Sequence, residues 1–122
     1  MCGIIGISSN KSVSANIVNS LKKLEYRGYD SAGIATLSGG LINEVKSEGR
    51  VDNLEKNFDL KNLPGNTGIG HVRWATHGKP NNVNAHPHSS YNVSVVHNGI
   101  IENSTLLKKY LVSKGHVFKS QT

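Results

Sequence analysis

Two adjacent glycines, Gly39 and Gly40, lie between two short apolar runs, and this arrangement constrains the fold more than any other feature of the sequence. The runs IATL (34–37) and INEV (42–45) contain several β-branched residues, which favour strands. A Gly-Gly pair supplies the positive φ angles that tight hairpin turns require. The segment therefore predicts a β-hairpin.

The rest of the chain mixes strand-like and helix-like segments. Apolar runs predict strands at residues 4–8, 67–75, 92–99 and 116–120, with a loop over 26–33. Apolar residues at helical spacing predict one helix near 17–24, capped by Ser12 or Ser14, and a short one near 51–58. A third begins at Ser104, buries Leu106, Leu107, Tyr110 and Leu111, and ends at Gly115. Together they predict an α/β chain of the α+β kind.

Charge and composition argue against several classes of partner. The net charge is +6, from 14 Lys and Arg against 8 Asp and Glu, but the basic residues are mostly scattered lysines. This distribution is typical of a solvated surface, so we expect no nucleic-acid partner. No apolar stretch approaches the ~20 residues that span a bilayer, and the start lacks a basic signal-peptide region, so we expect no membrane partner. The lone cysteine favours a reducing, cytoplasmic location.

That lone cysteine, Cys2, stands directly behind Met1. A free cysteine is most often a small buried apolar residue, and that alternative stays open. If Met1 is removed, however, Cys2 carries both a thiol and an α-amine, whose pKa is near 7.7–8.0. The amine can accept the thiol proton, so one residue would supply nucleophile and base. Cys2 is therefore the candidate nucleophile of an N-terminal nucleophile hydrolase.

Other segments carry groups that such an enzyme could use. HNG (97–99) closes an apolar strand, and an Asn amide with a following Gly N–H can bind an oxyanion, although a plain Asn-Gly turn is the simpler alternative. Arg73 can bind a carboxylate with two parallel hydrogen bonds, or it can be an ordinary surface arginine. The nearby Trp74 has core packing as its simpler role.

Histidines are frequent between residues 71 and 97, which raises the alternative of a metal site. The spacing H-x₈-H-x-H from His77 to His88 matches no standard zinc pattern, and no second cysteine is present. We therefore predict no metal and no cofactor.

Five segments together resemble a known family. They are MCGIIGI (1–7), LEYRGYDSAGIA (24–35), GIGHVRWATHGKP (68–80), NAHPH (84–88) and VVHNGIIEN (95–103). In this order they resemble the glutaminase domain of the glutamine–fructose-6-phosphate aminotransferases (isomerising), a family of class II glutamine amidotransferases. The amidophosphoribosyltransferases share the Cys start and HNG, but typically have RGQD where this chain has RGYD (27–30). They remain the alternative within this class of enzyme.

The resemblance implies roles for individual residues. Cys2 would attack the side-chain amide of L-glutamine, and Asn98 with the Gly99 backbone would form the oxyanion hole. Arg73, helped by Thr76 and His77, would bind the glutamine carboxylate. Trp74 would help to close the site and gate ammonia transfer. The resemblance also assigns supporting positions to Arg27, Gly28, Asp30, His86 and His97.

The resemblance further implies the fold and the wider reaction. The fold would be part of the four-layer αββα sandwich of the N-terminal nucleophile hydrolases. Residues 1–122 would be the N-terminal part of the glutaminase domain, with the rest of that domain and the sugar-isomerase domains absent. Ammonia from glutamine would serve glucosamine 6-phosphate synthesis, with fructose 6-phosphate bound by the missing domains of a homo-oligomeric parent.

Two features predict that the 122-residue chain by itself is inactive. An aspartate that in the family binds the glutamine α-amino group would come after Thr122. While Met1 is attached, the Cys2 nitrogen is an amide and cannot accept a proton. A non-catalytic, amidotransferase-like module is therefore the alternative from outside the enzymes.

Overall fold

The computed structural model describes Met1–Thr122 and is built around a four-stranded antiparallel sheet. Its strands, in the spatial order β1-β4-β2-β3, are β1 (Gly3–Ser8), β2 (Ser31–Ser38), β3 (Leu41–Glu48) and β4 (Thr67–Arg73). The predicted hairpin is confirmed, with φ of +56° at Gly39 and +76° at Gly40. The loop predicted over 26–33 is wrong at its end, because residues 31–33 pair with β4 and so extend β2.

Two helices, α1 (Ser14–Leu24) and α2 (Val51–Asn57), pack on one face of this sheet. β4 allows a close approach because it presents glycines to α1; a Cβ at Gly70 would lie 2.5 Å from Cγ2 of Ile17. The core between sheet and helices contains Val13, Ile17, Val18, Leu21, Ala32, Ile34, Val51, Leu54, Leu60 and Val72. The predicted α+β class is confirmed.

The start of α1 differs from the prediction. The residue at its N-cap is Val13, and no side chain caps the helix. Ser14 is the first helical residue, and its hydroxyl donates to the carbonyl of Leu60 at 2.8 Å instead. This buried bond ties the helix to the short 3₁₀ turn Leu60–Asn62.

The C-terminal third of the chain is less packed. A two-stranded sheet joins β5 (His88–Ser90) to β6 (Val93–Val95), so the strand predicted over 92–99 is much shorter than expected. Helix α3 (Ser104–Ser113) exists, but its predicted apolar face is wrong, because Leu106 and Tyr110 are 70% and 59% exposed. The strand predicted at 116–120 is also wrong, since no neighbouring strand pairs with it.

None of the three helices combines the length and apolar composition that crossing a membrane requires.

Candidate active site

The head of β1, the end of β4 and the start of β2 meet at one edge of the sheet. β4 lies between β1 and β2, with Gly3 opposite Val72 and Ser31 opposite Arg73. Residues just outside these pairs are therefore neighbours in space although they are far apart in the chain. Cys2 and Asp30, which directly precede β1 and β2, come together in this way beside Arg73, the last residue of β4.

The Cys2 thiol is half-buried and is held by the backbone of Trp74. Its Sγ accepts a hydrogen bond from the Trp74 N–H at 3.1 Å and lies 3.6 Å from the Trp74 carbonyl, to which the thiol can donate. The Met1 amino group donates to the carbonyl of Arg27 at 2.6 Å. In this form the Cys2 nitrogen is a peptide amide, so it cannot act as a base.

Asp30 fixes the turn that follows β4. Its backbone N–H donates to the carbonyl of Arg73 at 2.8 Å, and its carboxylate accepts from the N–H of Ala75 and from the Ser31 hydroxyl. The same carboxylate lies 3.7 Å from the Arg73 guanidinium. Trp74 lies between Arg73 and Ala75, and the backbone of both is hydrogen-bonded to Asp30. Asp30 therefore sets the position of the Trp74 backbone that holds Cys2.

Arg73 is only 4% exposed, so the alternative of a surface arginine is wrong. Its guanidinium donates to the carbonyls of Gly78 and Lys79, each at 3.2 Å, and to that of His77. These bonds, with the Asp30 contact, occupy both terminal nitrogens. Arg73 therefore holds the 77–79 loop against the end of the sheet, and its binding of a carboxylate remains a prediction.

Trp74 packs directly over Gly28. Gly28 has φ +113°, and a Cβ there would lie 2.4 Å from Cε3 of the indole ring. The indole is nevertheless 51% exposed, so core packing is not its role. The neighbouring Arg27 is exposed and contacts the Met1 sulfur at 3.8 Å. The 27–30 segment thus forms a platform for Trp74 beside the N-terminus.

Asn98 and Gly99 lie in an exposed loop after β6. The Asn98 side-chain oxygen accepts a hydrogen bond from Nε2 of His71 at 2.7 Å, which ties this loop to β4. A Cβ at Gly99 would lie 3.1 Å from the His97 ring, so His97 lines the same turn. No hydrogen bond joins Cys2 to Asn98 or Gly99.

Three histidine rings stack beneath this loop. His71 and His86 lie 4.4 Å apart with nearly parallel rings, and His88 meets His86 edge-on at 4.5 Å. Burial lowers the pKa of all three, that of His86 to about 3, and the nearby Arg73 adds to this effect. The rings stack rather than converge on one point, and the structure contains no group of three metal-ligating side chains.

Thr76 and His77 are exposed. Of their two side chains, only that of His77 makes a hydrogen bond, from Nε2 to the backbone carbonyl of Gln121 at 3.0 Å. Gln121 also exchanges two hydrogen bonds with the buried Asn84, whose amide donates to the Lys79 carbonyl at 3.0 Å. Asn84 and Gln121 therefore brace the loop that Arg73 holds. This role was not predicted from the sequence for either residue, although Asn84 begins the NAHPH segment.

His71 is a third residue whose role was not predicted from the sequence. In the sequence, His71 is only one of the frequent histidines between residues 71 and 97, yet the structure places its buried ring against Asn98. Its position two residues before Arg73 on a strand puts both side chains on the same sheet face, and this was the available signal.

Known proteins of similar sequence match this chain over its whole length. It is 56% identical to a glutamine–fructose-6-phosphate aminotransferase (isomerizing) of Clostridium acetobutylicum, 55% to that of Bradyrhizobium diazoefficiens and 56% to that of Pyrococcus horikoshii. Each match covers 100% of this chain but only 20–21% of the relative. The chain thus spans about a fifth of the length of these relatives. No family model matches it.

Solved structures resemble the fold closely. The glutamine phosphoribosylpyrophosphate amidotransferase of B. subtilis, complexed with ADP and GMP, superposes with a TM-score of 0.83 at 28% identity. The matched region covers 100% of this chain and 27% of the B. subtilis protein. A structure described as the allosteric regulatory enzyme of purine biosynthesis superposes with the same TM-score at 30% identity, covering 98% of this chain. The fold is therefore that of the N-terminal nucleophile amidotransferases.

Proposed function

Since this chain belongs to the glutamine–fructose-6-phosphate aminotransferase family, as the counterpart of its N-terminal part, we propose that it forms a site that hydrolyses glutamine and releases ammonia. The observation that carries the proposal is the placement of the only cysteine, directly behind Met1 and held by the Trp74 backbone beside Arg73 and Asp30. The higher identity to aminotransferases than to the solved amidotransferases disfavours the amidophosphoribosyltransferase alternative.

Before any turnover, hydrolysis of the Met1–Cys2 peptide bond removes Met1 and frees the Cys2 amine. That amine accepts the thiol proton, and the thiolate attacks the amide carbon of glutamine. The Asn98 amide and the Gly99 N–H stabilise the oxyanion that forms. The amine returns the proton to the departing nitrogen, so ammonia leaves and a thioester remains. Water then hydrolyses the thioester, giving glutamate and the free thiol.

Arg73 binds the glutamine carboxylate by exchanging partners. Its terminal nitrogens contact loop carbonyls in this structure, so a bidentate carboxylate must replace some of them. Substrate binding therefore requires a rearrangement of the 77–79 loop, which also carries His77 and follows Thr76. Trp74 closes over the substrate, while Arg27, Gly28 and Asp30 hold Trp74, and His86 and His97 support the loops.

For the complete protein we propose the wider reaction of the relatives. Ammonia passes to fructose 6-phosphate, bound by regions outside this chain, and glucosamine 6-phosphate forms. We propose a homo-oligomer in a reducing cytoplasm, which suits the single unpaired cysteine of residues 1–122. The 122 residues retaining Met1 are expected to be inactive.

The test uses the full-length protein and measures glucosamine 6-phosphate formed from glutamine or from ammonium salts. Cys2→Ala should abolish glutamine use and leave ammonia use intact. Intact mass establishes the loss of Met1 in the wild type, and a species that retains Met1 serves as a control without turnover. Loss of both activities in Cys2→Ala would show a structural role for Cys2 and overturn the proposal.

A further inference from the structure

The side chain of Asn98 can face an oxyanion in two ways, and only one of them is useful. Its amide has an oxygen that accepts and an NH₂ group that donates, and an oxyanion needs the donor. Asn98 lies in an exposed loop, so packing does not select between the two orientations. The one hydrogen bond of its side chain, from Nε2 of His71 to Oδ1 at 2.7 Å, is the contact that distinguishes them.

His71 is well suited to make this selection. His71 is 1% exposed and lies on the inner strand β4, opposite Ile4 of β1 and Gly33 of β2. Its ring stacks on His86 with an interplanar angle of 20°. A ring held on all sides cannot follow the loop.

The hydrogen-bonding pattern of the imidazole supports the same orientation. Nδ1 of His71 is buried without a partner, while Nε2 contacts Asn98. Burial lowers the pKa of His71, and the contact with Asn98 only partly counteracts this, so the ring is neutral. A neutral ring has one N–H, and an amide oxygen accepts only from the nitrogen that carries it. The proton therefore lies on Nε2.

We infer that His71 is a positioning residue that turns the amide oxygen of Asn98 toward β4 and so directs its NH₂ group into the oxyanion hole. This role rests on the proposed glutaminase function. His71 touches neither the nucleophile nor the substrate in this mechanism. Its loss should therefore slow turnover without weakening glutamine binding.

The experiment compares variants of the full-length protein with Met1 removed. His71→Phe keeps a stacked ring but removes the donor. We expect kcat for glutamine hydrolysis to fall about 10–100-fold, because misdirecting an oxyanion donor costs no more than removing it, which lowers kcat about 10²–10³-fold. KM for glutamine should stay within about twofold of the wild-type value. His71→Gln places an N–H near the Nε2 position and should restore most of kcat. His88→Phe, at the other end of the stack, should leave kcat unchanged.

A double-variant cycle separates positioning from a general structural role. In an Asn98→Ala background the amide is absent, so adding His71→Phe should lower kcat no further. Additive losses, or a His71→Phe enzyme with wild-type kcat, would overturn the inference while leaving glutamine hydrolysis established. A wild-type protein that releases no glutamate would overturn the proposed function and this role together. Ammonia-dependent activity verifies folding in every variant.

Discussion

Replacement of Asp30 by Asn tests the contact that positions the backbone around Cys2. The substitution keeps the shape of the side chain but removes the negative charge next to Arg73. The guanidinium is 5% exposed and the carboxylate 15% exposed, so the charge left behind is almost fully buried. An unpaired buried charge destabilises a protein strongly.

The magnitude follows from the geometry. At 3.7 Å and an effective dielectric constant of about 20, the attraction is about 4 kcal/mol. The carbonyls of His77, Gly78 and Lys79 still solvate the cation, so the expected loss of stability is smaller, about 2–3 kcal/mol. A loss of 1 kcal/mol lowers the unfolding midpoint of a domain of roughly 150–250 residues by about 2–4 °C, so the expected shift is about 5–10 °C.

The assay is the midpoint of heat inactivation of glutamine hydrolysis in the full-length protein. Asp59→Asn is the matched control, because Asp59 is exposed and its carboxylate contacts only the Asn62 amide. The control should shift the midpoint by no more than about 1 °C, as exposed substitutions usually do. An Asp30→Asn midpoint equal to that of the control would refute the role assigned to the Asp30–Arg73 pair.

Three further changes have distinct expected outcomes. Gly28→Ala should destabilise the full-length protein by about 2–4 kcal/mol, because the added methyl clashes with the Trp74 indole and the residue keeps a positive φ. Gly39→Ala is the control, because it has the positive φ but no atom within 4 Å of the added Cβ. Equal losses of unfolding free energy in the two variants, measured by denaturant unfolding, would contradict this. Arg73→Lys should raise KM for glutamine about tenfold or more, because an ammonium cannot bind a carboxylate bidentately, and an unchanged KM would remove Arg73 from the site. Burial lowers the pKa of His86 in the folded protein to about 3, so below pH 6.5 the unfolded chain binds a proton that the folded chain does not, and stability falls as pH decreases. Between pH 7.5 and 5.5 the free energy of unfolding of the wild type should fall by about 1 kcal/mol more than that of His86→Phe. Parallel curves of unfolding free energy against pH would contradict the burial argument.

Local sequence patterns predicted the parts of the fold that depend on near neighbours. The Gly39–Gly40 turn and the apolar stripe of α1 are encoded within a few residues, and the structure confirms both. The β4 strand was predicted from its apolar run, although it ends at Arg73. Cys2 lies where its thiol contacts the Trp74 backbone, and Asn98 of the HNG segment contacts His71 of β4; the catalytic roles predicted for both remain predictions.

The failures all concern contacts between distant residues. Residues 31–33 join β2 because β4 lies beside them, and residues 116–120 form no strand because nothing pairs with them. The apolar side of α3 does not pack in this chain, so helical periodicity predicted the helix but not its burial. The contact of His71 with Asn98 joins residues 27 positions apart. The spacing of His71 to Arg73 indicates that the two side chains share a sheet face, but it does not indicate the partner in the C-terminal loop.

The most direct test of the central claim is covalent trapping of Cys2. The full-length protein, with Met1 removed, is treated with a glutamine analogue that carries an electrophilic diazoketone in place of the amide, and the product is examined by intact mass and peptide mapping. We predict one adduct per chain, on Cys2, which forms far faster than with iodoacetamide and is slowed by glutamine. Equal rates with both reagents, no protection by glutamine, or an adduct elsewhere would contradict the assignment of Cys2 as the nucleophile.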